Sequence, residues 1–453
     1  MNSFVKEKAF YKKILLICLP IALQQLITVG INMIDTLMLG RVSETALAAS
    51  SMATQVHMLF AYIALGTGTG ASIMYARYWG RRDLKSLKVS VTLSYRFLLA
   101  AGIVYTLAAA FFPEAIMKLL TTDPIIVEAG TRYLNWTVPC YLFQGLQIVS
   151  TSVLRNVGKL NYPLYNSIVA FFINIFFNWV FIFGKLGAPE MGIAGAALGT
   201  TIARVVEAGS ILVYMFGIEK GLGYRLKDLF LPCRKLVREF FKITGPTIVS
   251  DVLLGLGQSL TTAVAGRISQ AFMAGNSITA VVQSMAVIFS SALGQSSQIV
   301  IGNTLGEGKP KRAKLESNTF MLLSILIGIV IGALIVLTAH PIADGYRLSK
   351  ETNTVAVQLL QAQGISVVFM IPAGVITKGV LRAGGDTAFL MVADVIFLWM
   401  ISVPFGYLFG VVWHLSPFLV FLMLKSEHFL KLILCMIRYA TGKWIKNIKG
   451  YED

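Results

Sequence analysis

Asp35 is an acidic residue inside a long apolar run, a position from which a side chain can bind a cation or a proton. A charge at the centre of a bilayer costs about 2.5–3.5 kcal/mol, so an acid held there usually has a function. Gln25, Thr28 and Asn32 precede Asp35 at helical spacing, and the four side chains therefore form one polar stripe. The alternative is an aspartate near the outer end of the helix, capped by neighbouring hydroxyl groups. We expect ion binding at Asp35 and a stripe that faces protein or water.

Asn174 and Asn178 lie four residues apart in another apolar run, so their amide groups project from one face of a helix. Amide and carboxylate oxygens suit hard cations, and Thr200 or Thr201 would add a hydroxyl group. Asparagines also join membrane helices by hydrogen bonds, and the spacing favours neither role. A sodium site built from Asp35, Asn174 and Asn178 is therefore one of two interpretations.

Other charged residues within apolar runs are weaker candidates. Glu207 follows Arg204 by three residues, so the two can pair across one helical turn. Asp251 and Asp394 have no oppositely charged neighbour at helical spacing. We expect either acid to line a cavity that receives cationic substrates. The candidates for that cavity are Gln25, Thr28, Asn32, Glu207, Asp251 and Asp394.

The elements that hold these residues are transmembrane helices. Of the 453 residues, 56% are hydrophobic and 13% are charged, against about 25% charged in soluble domains. A bilayer core needs about 20 apolar residues per helix, so the chain holds about twelve spans and little else. The sequence therefore predicts an all-α integral membrane protein. The spans are residues 13–38, 47–76, 93–112, 133–152, 162–184, 192–216, 240–266, 272–302, 319–339, 355–378, 389–410 and 417–439.

The net charge of +17 does not indicate nucleic-acid binding, because the lysines and arginines gather in alternate loops. Such alternation is the positive-inside pattern of membrane proteins. The opposite loops hold few basic residues, Arg347 among them. We therefore expect a multi-pass protein of the plasma membrane with both termini and Cys233 in the cytoplasm.

The two halves of the chain repeat one another. One offset superposes Pro20 on Pro246, Gly40-Arg41 on Gly266-Arg267 and Gly68 on Gly294, and Leu154-Arg155 meets Leu381-Arg382 one residue further on. Six spans per half give both halves the same orientation, as in transporters that work by alternating access. We expect an N-terminal lobe of residues 1–222, a cytoplasmic linker of residues 223–239 and a C-terminal lobe of residues 240–453. Pro20 removes a backbone hydrogen bond and gives the first helix a place to bend.

Motifs for ATP use and for catalysis are missing from the sequence. Residues 302–310, GNTLGEGKP, have the wrong spacing for a phosphate-binding loop. The histidines are scattered, and no nucleophile has a visible base. We expect no enzyme activity and no cofactor other than a coupling ion, Na⁺ or H⁺.

Several short segments along the whole chain form a set that is far more specific than any one of them. They are MIDTLMLGR ending at Arg41, LRNVG from Leu154, NIFFNWVFIFG from Asn174, GIAGAALGT from Gly192, IGNTLGEGKPKRAK from Ile301, VLRAGGDT from Val380 and the terminal Gly442-Lys443-Trp444. Together these segments resemble the multidrug and toxic compound extrusion (MATE) family of transporters.

The resemblance implies two six-helix lobes around a V-shaped cavity and export driven by re-entry of sodium or protons. It implies that Asp35 is the coupling acid, beside Asn174, Asn178 and a threonine of the sixth span. The implied partners are small-molecule drugs or metabolites, mainly organic cations, and we expect a monomer. One branch of the family carries acids in the seventh and tenth helices, whereas this chain has Ile371 near the second position and Asp251 out of clear register with the first. We therefore expect coupling to rest on the N-terminal half.

Two other functions are alternatives for this chain. A flippase for lipid-linked saccharides belongs to the same broad superfamily, but its pyrophosphate substrate would favour a cationic cavity, and the buried charges without local partners here are acidic. An intramembrane enzyme is disfavoured because no catalytic cluster is visible. The sequence thus favours a cation-coupled exporter of amphipathic and cationic small molecules.

Overall fold

The chain folds almost entirely into helices in the computed structural model, which describes residues 4–346 and 348–452. Arg347, one of the basic residues expected outside, lies beyond the described residues. The helices are α1 Lys8–Gly40, α2 Glu44–Arg81, α3 Leu84–Phe111, α4 Pro113–Leu120, α5 Pro124–Thr137, α6 Cys140–Asn156, α7 Asn161–Ile182, α8 Ile193–Ile218, α9 Arg234–Ile268, α10 Gln270–Gly306, α11 Pro310–Leu337, α12 Ala339–Asp344, α13 Lys350–Gly384, α14 Thr387–Val412, α15 Pro417–Leu424 and α16 Ser426–Ala440.

Ten of these helices are each long and apolar enough to cross a membrane: α1, α2, α3, α7, α8, α9, α10, α11, α13 and α14. The other two crossings are broken helices, α5 with α6 and α15 with α16. The continuous spans predicted at 133–152 and 417–439 are therefore wrong in detail. Pro139 precedes α6 and has no backbone N–H, which ends the first helix. At the second break Ser402 accepts a 2.8 Å hydrogen bond from the N–H of Glu427.

Large apolar side chains remain exposed along the long helices. Val330 in α11 is 66% exposed and Leu15 in α1 is 63% exposed. Contiguous apolar surface of this kind marks contact with lipid or with another protein. Within the described residues, the ten long helices and the two broken ones make twelve transmembrane helices in two pseudo-symmetric six-helix bundles, and the protein is an all-α integral membrane protein, as predicted.

The repeat seen in the sequence is also present in the order of the helices. Pro20 lies inside α1 and Pro246 inside α9, the first long helix of each half. A short helix, α4 or α12, follows the third long helix in each half. α1 continues through Pro20 as one helix, and the bend expected there stays a prediction.

One compact unit comprises Leu23–Tyr75, Asp83–Phe240 and Gly450–Asp453. It contains most of the helices of the first half and a piece of the carboxyl-terminal tail. The backbone N–H of Tyr451 donates a 2.7 Å hydrogen bond to Ser86, and Lys85 lies 4.8 Å from the centre of the Tyr451 ring. These contacts fix the tail at the start of α3.

The other compact unit comprises Met1–Ala22, Ala76–Arg82 and Phe241–Lys449. Its helices pack closely through small residues. A Cβ on Gly332 of α11 would lie 2.5 Å from the carbonyl oxygen of Gly364 in α13, so these helices touch backbone to backbone. Small residues at such crossings are typical of membrane helix packing.

Candidate functional site

A polar cavity of about 450 Å³ lies within the unit that holds Leu23–Tyr75. Three residues of the predicted stripe, Thr28, Asn32 and Asp35, line it. Hydroxyl groups from α2 and α8, among them those of Thr54 and Thr200, complete much of the wall. The stripe on α1 therefore faces an internal space.

Asp35 is tied to the asparagine pair of α7. The amide of Asn178 donates a 2.5 Å hydrogen bond to Oδ1 of Asp35 and a 3.3 Å hydrogen bond to Oδ1 of Asn174. Asn174 in turn donates a 3.3 Å hydrogen bond to Oγ1 of Thr200. The structure thus brings together four residues that the sequence proposed for the coupling site.

Close packing of α7 against α8 sets this arrangement. Gly195 and Gly199 lie one helical turn apart on α8, and a Cβ on Gly199 would collide with Oδ1 of Asn178. A Cβ on Gly195 would lie 2.5 Å from the carbonyl oxygen of Phe181. The small-residue pair therefore lets α7 approach far enough for Asn178 to reach Asp35.

The cluster offers oxygen atoms to a small cation. Asn178 is fully buried, and its Oδ1 has no hydrogen-bond partner within the described chain. A buried amide oxygen without a donor costs about 1–3 kcal/mol, which a bound cation would recover. With the Asp35 carboxylate and the Thr200 hydroxyl, the donor set is hard and mostly neutral, and it fits Na⁺.

The two threonines proposed from the sequence have different surroundings. Thr200 lines the cavity. Thr201 turns away and donates a 2.8 Å hydrogen bond to the carbonyl oxygen of Trp136, near the end of α5. Its hydroxyl also lies 3.1 Å from Sγ of Cys140 at the start of α6. Thr200 therefore belongs to the site, whereas Thr201 secures the broken helix.

Gln25, the remaining residue of the stripe, differs from the other three. Gln25 is not among the residues that line the cavity, within the described chain. Gln24 is the buried neighbour, and it donates a 3.3 Å hydrogen bond to Ser167 and accepts one from Arg155. Gln24 lies four residues before Thr28 and so shares its face of α1, but within the described chain it does not line the cavity either.

Arg204 and His57 are lining residues that the sequence did not propose for the cavity. Helical spacing predicts Arg204 only as the local partner of Glu207, and that pair is present with Nη1 2.9 Å from Oε2. The ring of His57 lies 5.9 Å from that of Tyr141. No local pattern links either residue to Asp35, because they come from α8 and α2.

Asp251 and Asp394 are paired with distant bases. Arg382 donates a 2.8 Å hydrogen bond to Asp251, and both side chains are buried. Nζ of Lys431 lies 2.6 Å from Oδ1 of Asp394, and Oδ2 of Asp394 accepts a hydrogen bond from Ser250. The expectation that these acids lack partners is therefore wrong, and their place in a substrate cavity stays a prediction. Because both acids are paired, their charge does not weigh against a flippase.

The Arg382 pair has a counterpart in the other half of the chain. Arg155, which the repeat matches to Arg382, binds Gln24 on α1, four residues after Pro20. Asp251 lies five residues after Pro246 on α9. In both units the arginine of a Leu-Arg pair therefore holds the first helix of that half just beyond its proline, which indicates a structural role for Asp251.

A family model described as MatE matches the chain twice, over residues 20–180 and 246–408. The two matches begin at Pro20 and Pro246, the prolines that the internal repeat superposes. Together they cover well over half of the chain.

Named relatives match along nearly the same length. The Multidrug resistance protein NorM of Photobacterium profundum is 25% identical over 92% of this chain and 91% of its own length. The Multidrug resistance protein MdtK of Yersinia pseudotuberculosis is 24% identical over 92% of this chain and 91% of its own length.

Solved structures share the fold. A MOP superfamily transporter from Pyrococcus furiosus superposes with a TM-score of 0.87 at 18% identity, covering 96% of this chain and 97% of that one. A multidrug resistance MATE family transporter in an outward-facing conformation gives the same values. At this identity the likeness concerns the fold alone.

Proposed function

Because the chain belongs to the MatE family, we propose that it is a secondary active antiporter that exports amphipathic and cationic small molecules in exchange for Na⁺ or H⁺. Relatives named multidrug resistance proteins support drug-like substrates. The observation that carries the coupling proposal is the Asp35 carboxylate, placed in a polar cavity and bonded to Asn178.

The chemistry of Asp35 supports an exchange mechanism. Within the described chain Asp35 forms no ion pair with a lysine or arginine. A carboxylate inside a membrane protein is costly unless a cation or a proton compensates its charge. Binding of the ion and release of the substrate would exclude one another, with Pro20 as the point at which α1 bends. Alternating access of two lobes, residues 1–222 and 240–453, would then carry substrate outward.

We place the protein in the plasma membrane with both termini in the cytoplasm. The clustering of basic residues in alternate loops supports this orientation. We also propose that it works as a monomer, because each half of the chain supplies one of the two bundles that alternating access requires.

Efflux of a cationic dye, ethidium, from proteoliposomes tests the proposal. Sodium and proton gradients are imposed separately, and a matched set of vesicles carries Asp35→Asn. We expect one of the two gradients to drive efflux in the wild type and neither to drive it in the variant. If efflux by the wild type depends on neither gradient, the proposal of an ion-coupled antiporter is refuted.

A further inference from the structure

The ion pair of Arg204 and Glu207 lies at the edge of the Asp35 cavity, on a helix that the coupling site already uses. Arg204 lines the cavity and its side chain is 23% exposed, while that of Glu207 is 6% exposed. Within the described chain, Asp35 and Arg204 are the charged residues of the cavity lining, taking His57 as neutral. A cation of the protein therefore shares the space in which the coupling ion would bind.

Glu207 is held in a fixed position. Its Oε1 accepts hydrogen bonds from Gln147 at 3.2 Å and from Ser167 at 3.1 Å, and its backbone carbonyl accepts one of 2.7 Å from Asn166. Three helices, α6, α7 and α8, thus converge on one carboxylate. The other oxygen, Oε2, accepts a 2.9 Å hydrogen bond from Nη1 of Arg204. Glu207 is therefore held by several partners, whereas Arg204 has one hydrogen bond within the described chain, to this carboxylate, and is the less firmly held of the two.

The charges of this group leave room for one monovalent cation. Asp35 and Glu207 carry two negative charges and Arg204 carries one positive charge, so the group holds one uncompensated carboxylate. That carboxylate is Asp35 as long as Arg204 stays on Glu207. The cavity volume of about 450 Å³ corresponds to a width comparable with an extended arginine side chain. Arg204 and Asp35 line this same cavity, so a turn of the Arg204 side chain from Glu207 toward Asp35 would bring its guanidinium group into that shared space.

We propose that Arg204 is a tethered competitor of the coupling ion, which binds Glu207 when the ion occupies Asp35 and turns to Asp35 when the ion leaves. This inference rests on the proposed ion-coupled export. Arg204 is then a positioning residue that also determines specificity. Glu207 is the second binding site of its guanidinium group. After the ion leaves, the guanidinium group of Arg204 compensates the charge of the Asp35 carboxylate. An uncompensated carboxylate would be costly in the membrane.

Two single variants test the competition with effects of opposite sign. Arg204→Gln removes the competitor, so the half-saturating concentration of the driving ion should fall by about tenfold, as expected for a unit charge acting across a protein cavity. Glu207→Gln releases Arg204 toward Asp35, so that concentration should rise. Arg132→Gln is the matched control, because Arg132 forms a 2.8 Å pair with Glu128 on an exposed surface of the same unit.

The double variant Arg204→Gln with Glu207→Gln separates competition from net charge. It restores the wild-type net charge of the group but leaves no tethered cation, so competition predicts tighter ion binding than in the wild type. A simple field effect predicts the wild-type value, and that result would overturn the inference.

Two measurements distinguish a failure of the Arg204 inference from a failure of the proposed function. The first is the ion dependence of ethidium efflux from proteoliposomes, with Na⁺ replaced by N-methyl-D-glucamine at constant ionic strength and with a parallel pH series. The second is the ion-dependent rise of Tm in detergent, which reports binding without transport. If the wild type responds to neither ion, the proposed function itself fails; if the wild type responds and the double variant matches it, only the competitor role of Arg204 fails. Monodisperse elution of each variant, and of Arg204→Lys as the variant that keeps the charge, excludes misfolding as the cause of a changed ion dependence.

Discussion

The side-chain amide of Asn178 donates a 2.5 Å hydrogen bond to Oδ1 of Asp35, and this bond joins residues that lie 143 positions apart in the chain. It links α1 to α7 at the wall of the polar cavity. The other amide atom of Asn178, Oδ1, has no donor within the described chain. The same side chain can therefore hold the carboxylate through its nitrogen and offer its oxygen as a ligand to a cation bound beside Asp35.

Asp35→Asn should abolish ion-driven export and leave folding intact. The substituted amide keeps the size of the side chain and loses the charge that a cation or proton compensates. Ethidium efflux under an imposed ion gradient measures the loss, and elution from a sizing column in detergent reports folding. Dye pumping with unchanged ion dependence would remove Asp35 from the mechanism.

Asn178→Ala should raise the ion concentration needed for half-maximal transport by about tenfold or more, if the ion is Na⁺. A hydrogen bond to a charged group contributes about 1.5–3 kcal/mol, and about 1.4 kcal/mol corresponds to tenfold in affinity. Asn174→Ala should act in the same direction. Asn135→Ala is the control, because Asn135 is exposed on α5. The idea fails if Asn178→Ala and Asn135→Ala give the same ion dependence.

Thr200→Val and Thr201→Val should have different effects although the residues are neighbours. The first removes a hydroxyl group from the cavity wall, so the half-saturating ion concentration should rise. The second removes the donor to the Trp136 carbonyl, so it should lower the free energy of unfolding by about 1 kcal/mol and leave ion dependence unchanged. Ion titration of efflux and thermal unfolding in detergent measure the two effects. Equal behaviour of the two variants would contradict the assignment.

Asp251→Asn should destabilise the protein and reduce export of cationic and neutral substrates to the same extent. Breaking a buried ion pair leaves Arg382 uncompensated and costs about 3–5 kcal/mol. The double variant Asp251→Leu with Arg382→Met should recover much of the stability, because it buries no charge. Thermal unfolding and efflux of two dyes, one cationic and one neutral, provide the readout. A selective loss of the cationic dye would instead indicate that Asp251 contacts substrate.

Lys227→Cys should react with an impermeant maleimide in inside-out vesicles, and Leu119→Cys in intact cells. Lys227 lies in an exposed part of the segment between α8 and α9, and Leu119 is 86% exposed on α4. The native Cys233 is a poorer reporter because burial raises the pKa of its thiol. The thiolate is the reactive form, so labelling of Cys233 should be slow near neutral pH and should accelerate as pH rises. Reversal of the vesicle pattern would overturn the proposed orientation.

Local patterns were sufficient for the helices and for one face of the site. Apolar length determines a membrane helix, and an interval of three or four residues determines which side chains share its face. The sequence therefore predicted twelve crossings, the repeat beginning at Pro20 and Pro246, the stripe that ends at Asp35 and the pairing of Asn174 with Asn178. The break before α6 also had a local signal in Pro139, which the length of the apolar run concealed.

Contacts between helices were decided only by the tertiary structure. Arg382 reaches Asp251 across 131 positions, and Arg204 enters the same cavity as Asp35 although no spacing connects them. Such contacts depend on the depth and rotation of each helix, which are set where small residues such as Gly199 allow close approach. Helical periodicity fixes the angle between side chains on one helix and leaves the angle between two helices free, so a sequence can place Asp35 on a face but cannot specify its neighbours.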